Sequence, residues 1–318
     1  MIALGKMRGQ NLILAILAAL WVATIIGLSV LSPAMFNAGT VTNILQFSTI
    51  LSLVALGQTL VILSGGAGID LSIGGTVSLS AMLAMLAFKA GMPIVLVPPA
   101  CILIGLALGA INGLLVTKLR ILPLIATLGT LFIYSGTALA VTGGAAMSGV
   151  PAWMLAWGRG SISSLPLPFI TIALPAFGIA GIVLLWTAWG RWIYAMGFNE
   201  RSARLVGIPV DRVRLLIYMI SGGLGGLGGL ISLAWLGSGR PNIGQNLELE
   251  SLTAAMLGGV AIVGGRGGVG GVLAAVLLLV TLKTGLLRLN VNTVWQVGVV
   301  GVLLIAVLIA DRLTTHRR

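Results

Sequence analysis

The chain has 318 residues, 58% hydrophobic and 8% charged, with a formal net charge of +12. A soluble domain averages about 25% charged residues, so a single water-facing core is excluded and the chain reads as a polytopic membrane protein. Its cations are scattered between apolar runs, which excludes a nucleic-acid stripe, and one cysteine (Cys101) and one histidine (His316) exclude an internal disulfide, a Cys/His metal site and a Ser/His/Asp triad.

The N-terminal stretch MIALGKMRGQ is short and basic. The apolar run behind it, Asn11 to Leu31, exceeds a signal-peptide core and has no small-residue cleavage site after it. It is expected to be a retained first helix with the N-terminus inside. Further spans are expected at 42–63, 73–88, 93–116, 122–141, 167–188, 213–236, 249–263, 268–287 and 293–310. The expected architecture is an all-α bundle of about ten transmembrane helices, one domain over 1–318, with both termini cytoplasmic.

Between the second and third spans stands SGGAGIDLSIGG, Ser64 to Gly75. Asp70 lies close to membrane depth, where an ionisable group is costly. Two readings stay open. Asp70 or Ser72 caps the next helix, with the glycines forming an irregular turn, or Asp70 takes a direct part in gating or transport. Gln58 and Asn112 carry a similar choice between lining the path and joining helices by hydrogen bonds. In the fourth span Gly105, Gly109 and Gly113 recur every four residues, as do Gly222–Gly226 and Gly225–Gly229 later. That spacing lets helix backbones approach closely.

The most charged segment follows the sixth span, at 190–214: GRWIYAMGFNERSARLVGIPVDRVR. Asn199 suits an N-cap, Glu200 a first turn, and Gly207 a stop with Pro209 behind it. A helix of about two turns is expected over Asn199–Val206, with Asp211 capping the seventh span. A helix so short is not stable alone. It is either docked on something or part of an ordinary positively charged inner loop. The last motif, LELESLTAAMLGGVAIVGGRGGVGG at Leu247–Gly271, places Glu248 and Glu250 at the outer mouth and Arg266 at an inner turn. The two carboxylates are either solvated or meet a partner's basic residues. No GxxxxGK[ST] occurs, so any ATPase is a separate chain or subunit.

With ten spans and the N-terminus inside, thirteen cations fall inside: Lys6, Arg8, Lys118, Arg120, Arg191, Arg201, Arg204, Arg212, Arg214, Arg266, Arg312, Arg317 and Arg318. Lys89, Arg159, Arg240, Lys283 and Arg288 fall outside or at outer helix ends. This is the positive-inside bias. Trp186, Trp189, Trp192 and Tyr194 at one end, and Trp153, Trp157 and Trp235 at the other, read as interface anchors.

Three segments together resemble the permease subunits of ribose-type ABC importers: GQTLVILSGGAGIDLSIGG (57–75), AMGFNERSARLVGIPVDRVRLLIYMISG (195–222) and ELESLTAAMLGGVAIVGGRGGVGG (248–271). They occur in the family's order and the likeness covers nearly the whole chain. GGAGID is two residues longer than the usual GGID, and Ser202 stands where the family often has Ala. The resemblance implies a permease of the bacterial cytoplasmic (inner) membrane that imports a monosaccharide or a related small molecule. It implies no cofactor and no catalysis on this chain, with ATP and Mg²⁺ on a partner ATPase. It also implies a second permease chain and an external solute-binding protein. Asn199 to Ile208 then correspond to the segment docked in the ATPase groove, with Asn199, Glu200, Arg201, Ala203, Arg204, Leu205, Gly207 and Ile208 as coupling residues. Gln58, Asp70 and Asn112 become candidates for the gate or path. The outer loops 146–165 and 237–250 would receive the binding protein, with Gln245, Glu248 and Glu250 as contacts. The competing class is an ion-coupled secondary transporter, for which only Asp70 and Lys283 come near the expected buried ionisable residues.

Overall fold

The structure, a computed structural model, describes residues 2–32 and 37–315. His316, Arg317 and Arg318 lie outside them. The chain is all-α, with thirteen α-helices among the described residues. They are α1 (Ile2–Leu31), α2 (Ala38–Leu63), α3 (Ile73–Lys89), α4 (Val97–Thr117), α5 (Pro123–Thr142), α6 (Ala152–Arg159), α7 (Leu174–Trp186), α8 (Ala188–Phe198), α9 (Glu200–Leu205), α10 (Val210–Leu236), α11 (Leu247–Leu257), α12 (Val269–Arg288) and α13 (Thr293–Thr315).

Local chemistry sets many of the ends. The Asn37 side chain accepts from Thr40 N at the start of α2, and Thr187 accepts from Gly190 N at the start of α8. Prolines occupy the first turns of α4, α5 and α7, where their missing N–H costs nothing. Gly143 and Gly237 close α5 and α10 in the left-handed conformation.

Seven helical segments among the described residues are long and apolar enough to cross a membrane: 14–31, 38–63, 94–117, 123–142, 169–186, 210–236 and 269–288. The expected spans 73–88 and 249–263 differ. α3 has 17 residues, or about 26 Å at 1.5 Å per residue, short of a hydrocarbon core of about 30 Å. It starts inside the bundle, because the preceding loop folds back along α2 and Asp70 N donates to Gln58 Oε1 at 3.3 Å. α11 stops at Leu257. Beyond it Gly259, Gly264, Gly265 and Gly267 take positive φ, a backbone no helix continues through. α13, of 23 residues, covers the expected span 293–310.

Packing centres on α2 and α10. α2 is buried along most of its length, while α1, α5 and α7 leave large apolar side chains such as Ile26, Phe132 and Leu185 exposed. That outer belt suits lipid contact. The small-residue motifs form the α4–α10 crossing. A methyl added to Gly105 would overlap the Gly222 carbonyl oxygen, one on Gly109 that of Tyr218, and one on Gly226 that of Cys101. Beyond α10 the loop turns inward: Ile243 and Leu247 pack on Val54, Ile73 and Val77, and Gly244 N donates to Ser78 Oγ at 3.0 Å.

Candidate functional site

The 190–214 segment is α8, α9 and the first turn of α10, not an irregular loop. α9 has six residues. Asn199 sits in extended backbone and its side chain accepts from Ser202 N at 3.0 Å. Gly207, at φ +84°, ends the helix. Both match expectation. Asp211 does not cap α10, whose N-cap is Pro209. It accepts both terminal nitrogens of Arg204, at 2.5 and 3.1 Å. Arg204 also donates to Glu200 Oε1 at 2.9 Å, and Arg214 donates to Glu200 Oε2 at 2.8 Å. The Arg214 guanidinium holds the Glu200 carboxyl below its ordinary range. A lowered carboxylate pKa means this staple is complete above the unfolded-state pKa and weakens as pH falls through the folded-state value.

The staple divides the candidate coupling residues into two sets. Ala203 is 2% exposed and belongs to the core, while Phe198, Leu205 and Val206 are 74%, 82% and 77% exposed. Arg201 and Ser202 are also exposed, and Ile208 is half-buried. The segment therefore turns an apolar rim outward and is held from within by Ala203, Glu200 and Arg204.

The staple continues into the first motif. Arg214 Nη2 reaches the Ser64 carbonyl at 3.4 Å. Gly65 lies so close to Gly197 that an added Cβ would be 2.7 Å from its Cα, and one on Gly264 would be 2.6 Å from the Cα of Gly65. Gly265 N donates to Leu63 O at 3.0 Å. The three motifs, distant in sequence, thus meet backbone to backbone at one junction.

Past that junction lies a buried polar centre, where the structure brings Gln58, Asp70 and Asn112 together. Asp70 is 1% exposed. Its Oδ1 accepts from Ser72 N at 3.1 Å and Ser72 Oγ at 2.6 Å, and its Oδ2 accepts from Ser221 Oγ at 2.8 Å. Asn112 Nδ2 donates to Ser72 Oγ at 2.6 Å, and Thr130 Oγ1 donates to Asn112 Oδ1 at 2.7 Å. The Ser72 N contact is an Asx-turn; Ser72 is the N-cap residue of α3 but makes no side-chain cap bond, and the Asp70 side chain does more than shape a turn. It joins α3, α4, α5 and α10 through one network. Thr130 and Ser221 carry no sequence signal, because hydroxyls on apolar helices usually bond back to their own carbonyls. Asp70→Asn keeps the turn and weakens the bond to Ser221, and is expected to cost about 1–2 kcal/mol. Asp70→Ala strands three donors and should cost about 3 kcal/mol or more. Thermal unfolding of the two variants in nanodiscs reads the difference; equal losses would show that the network carries no weight.

At the other end the candidate contacts separate. Gln245 is exposed. Glu248 is half-buried with Oε2 against Gly74. Glu250 is not solvated as expected. It is buried and accepts from Lys283 Nζ at 2.6 Å. Other cations assigned to that end are also engaged: Arg159 donates to Trp235 O and Leu236 O, and Arg288 to Thr40 Oγ1.

Residues 40–308 match the branched-chain amino acid transport system / permease component family. The ribose import permease protein of Bacillus subtilis is 38% identical over 295 residues, covering 91% of this chain and 89% of the relative. That of Escherichia coli K12 is 33% identical over 287 residues, covering 89% and 88%. The autoinducer 2 import system permease protein LsrD of Klebsiella pneumoniae is 33% identical over 311 residues, covering 95% and 92%. No solved structure matches the chain. From α2 to α13, then, this chain belongs to the family of branched-chain amino acid transport system permease components.

Proposed function

We propose that this chain is the transmembrane permease subunit of an ATP-binding-cassette importer in a bacterial inner membrane, moving a sugar or sugar-like solute inward. The relatives' names supply the solute class: ribose in one group, autoinducer 2 in the other. The observation that carries the mechanism is the stapled segment with its apolar rim, joined through Arg214 to the Ser64 carbonyl. A separate ATPase holds ATP and Mg²⁺ and receives Phe198, Leu205 and Val206. Its closure moves α9. Because Glu200 and Arg204 tie α9 to α10, and the Gly65–Gly197–Gly264 junction has no side chains to yield, the motion passes to the Asp70 loop and the bundle switches between two arrangements. A second permease chain completes the pair, and a solute-binding protein docks on the opposite face, where Gln245 is exposed. About ten membrane-crossing segments with both termini cytoplasmic complete this reading, the short α3 and α11 being the two that length alone does not assign.

The ion-coupled alternative finds no support among the relatives. Lys283 is paired with Glu250, and Asp70 is held by serine hydroxyls within a helix-joining network.

Two measurements test the proposal. Gentle affinity purification from native membranes should recover an ATPase with this chain, and the complex should take up sugar only with ATP. Ser202→Cys and Ser161→Cys, both at exposed positions, should label from opposite faces; Cys101 is buried and stays silent. A chain that purifies alone and transports without ATP, or labels on one face only, overturns the reading.

A further inference from the structure

We propose that the cavity between α2, α10, α11, α12 and α13 is a binding site for a neutral polyol of one sugar ring, a way-station for the solute inside the permease itself. The inference rests on the importer reading above. The cavity measures about 310 Å³, near the lower limit for small-molecule sites, roughly 300–1,000 Å³. Phe47 and Trp235 form one wall, edge to face, with ring centroids 4.6 Å apart at 90°. Such rings offer an apolar face for the C–H side of a sugar ring, with little side-chain freedom to lose. The polar part comes from Gln245 before α11, Glu250 on α11, Lys283 on α12 and Gln296 on α13.

The charges decide the ligand class. Lys283 and Glu250 pair at 2.6 Å, so the cavity carries no net charge and attracts neither an anion nor a cation. An amino-acid zwitterion would meet no unpaired counter-charge there. A hydroxyl need not: the ammonium has three donors and spends one on Glu250. Gln296 Nε2 donates to Val291 O at 3.1 Å, which leaves its other amide hydrogen available. The Gln245 side chain has no hydrogen-bond partner among the described residues. Donors and acceptors facing an aromatic wall are the chemistry of hydroxyl recognition. The pair opens into the cavity, with Lys283 31% exposed, so its remaining ammonium hydrogens are within reach of a ligand. The cavity also lies towards the ends of α10 and α12 opposite the coupling segment, where solute would enter.

The test is protection from labelling. In a Cys101→Ser background, Thr284→Cys puts a thiol on the cavity wall. In nanodiscs, D-ribose, D-xylose or D-galactose at saturation should slow maleimide labelling of the Thr284→Cys variant about fivefold, and glycine should not. The Ser161→Cys variant should label equally with and without sugar. Adding Gln245→Leu or Trp235→Leu should raise the sugar concentration needed about tenfold; Gln245 is exposed, so its change does not threaten folding. If no sugar protects while the complex still accumulates sugar with ATP, the site is overturned and the importer reading stands. Protection by glycine but not by sugars overturns the polyol class. If the complex moves no sugar at all, the importer reading fails and the polyol site with it.

Discussion

Leu205→Asp combined with Val206→Asp is expected to abolish capture of the ATPase and to reduce ATP-driven uptake at least about a hundredfold, with the permease still inserted and folded. α9 has only six residues and cannot persist by its own hydrogen bonds. Asn199, Arg204 and the buried Ala203 fix it from inside. Leu205 and Val206 take no comparable part, at 82% and 77% exposure. Truncating an interface anchor typically costs about 2 kcal/mol. Two anchors lost together correspond to roughly a thousandfold in affinity, and the introduced carboxylates add a desolvation cost. Ala203→Asp does not make the same point, because a carboxylate there would be buried without a partner and would destroy the segment whatever it touches. Co-purification of the ATPase and the thermal midpoint of the permease read the two effects separately. Normal ATPase retention by the double variant would sink the docking assignment.

The contrast between Ala203 and Leu205 shows what the sequence could and could not convey. Asn199 and Gly207 marked the helix ends because capping is local chemistry, and the structure places both as expected. Which face of NERSARLVG turns inward depends on Ser64 and Gly66, which lie far from it in the chain and meet it through Arg214 and Glu200. The same limit governs α11. An apolar run suggested a span at 249–263, but Gly259 within it takes positive φ and breaks the helix, and hydropathy is blind to φ. Glu250 looked solvated because it sits near a loop; its partner Lys283 is 33 residues away. Asp70, Gln58 and Asn112 stood out as polar groups at apolar depth, and they do meet. Thr130 and Ser221, which complete their network, carry no sequence signal of their own.

Gly109→Val is expected to lower stability by about 3 kcal/mol or more, the upper range for overpacking, and to leave little folded permease in the membrane. Overpacking is usually relieved by a side chain rotating away. Here the obstacle is backbone on both sides: a Cβ on Gly109 meets the Tyr218 carbonyl, and the neighbouring Gly105 and Gly222 meet each other's carbonyls. Neither helix can give locally, so α4 and α10 must separate along the crossing. α10 is also the helix that carries Arg214 and Ser221. Separation would therefore loosen the staple on α9 and the bond to Asp70 together. Gly129→Ala is the matched control. A methyl there meets nothing within 4 Å, and alanine favours a helix interior by about 1 kcal/mol over glycine, so this variant should be neutral or slightly more stable. Thermal midpoints in nanodiscs, with folded yield, compare the two. Equal behaviour of Gly109→Val and Gly129→Ala would mean that the α4–α10 crossing tolerates side chains, and that the rigid path from α9 to Asp70 does not depend on close backbone contact.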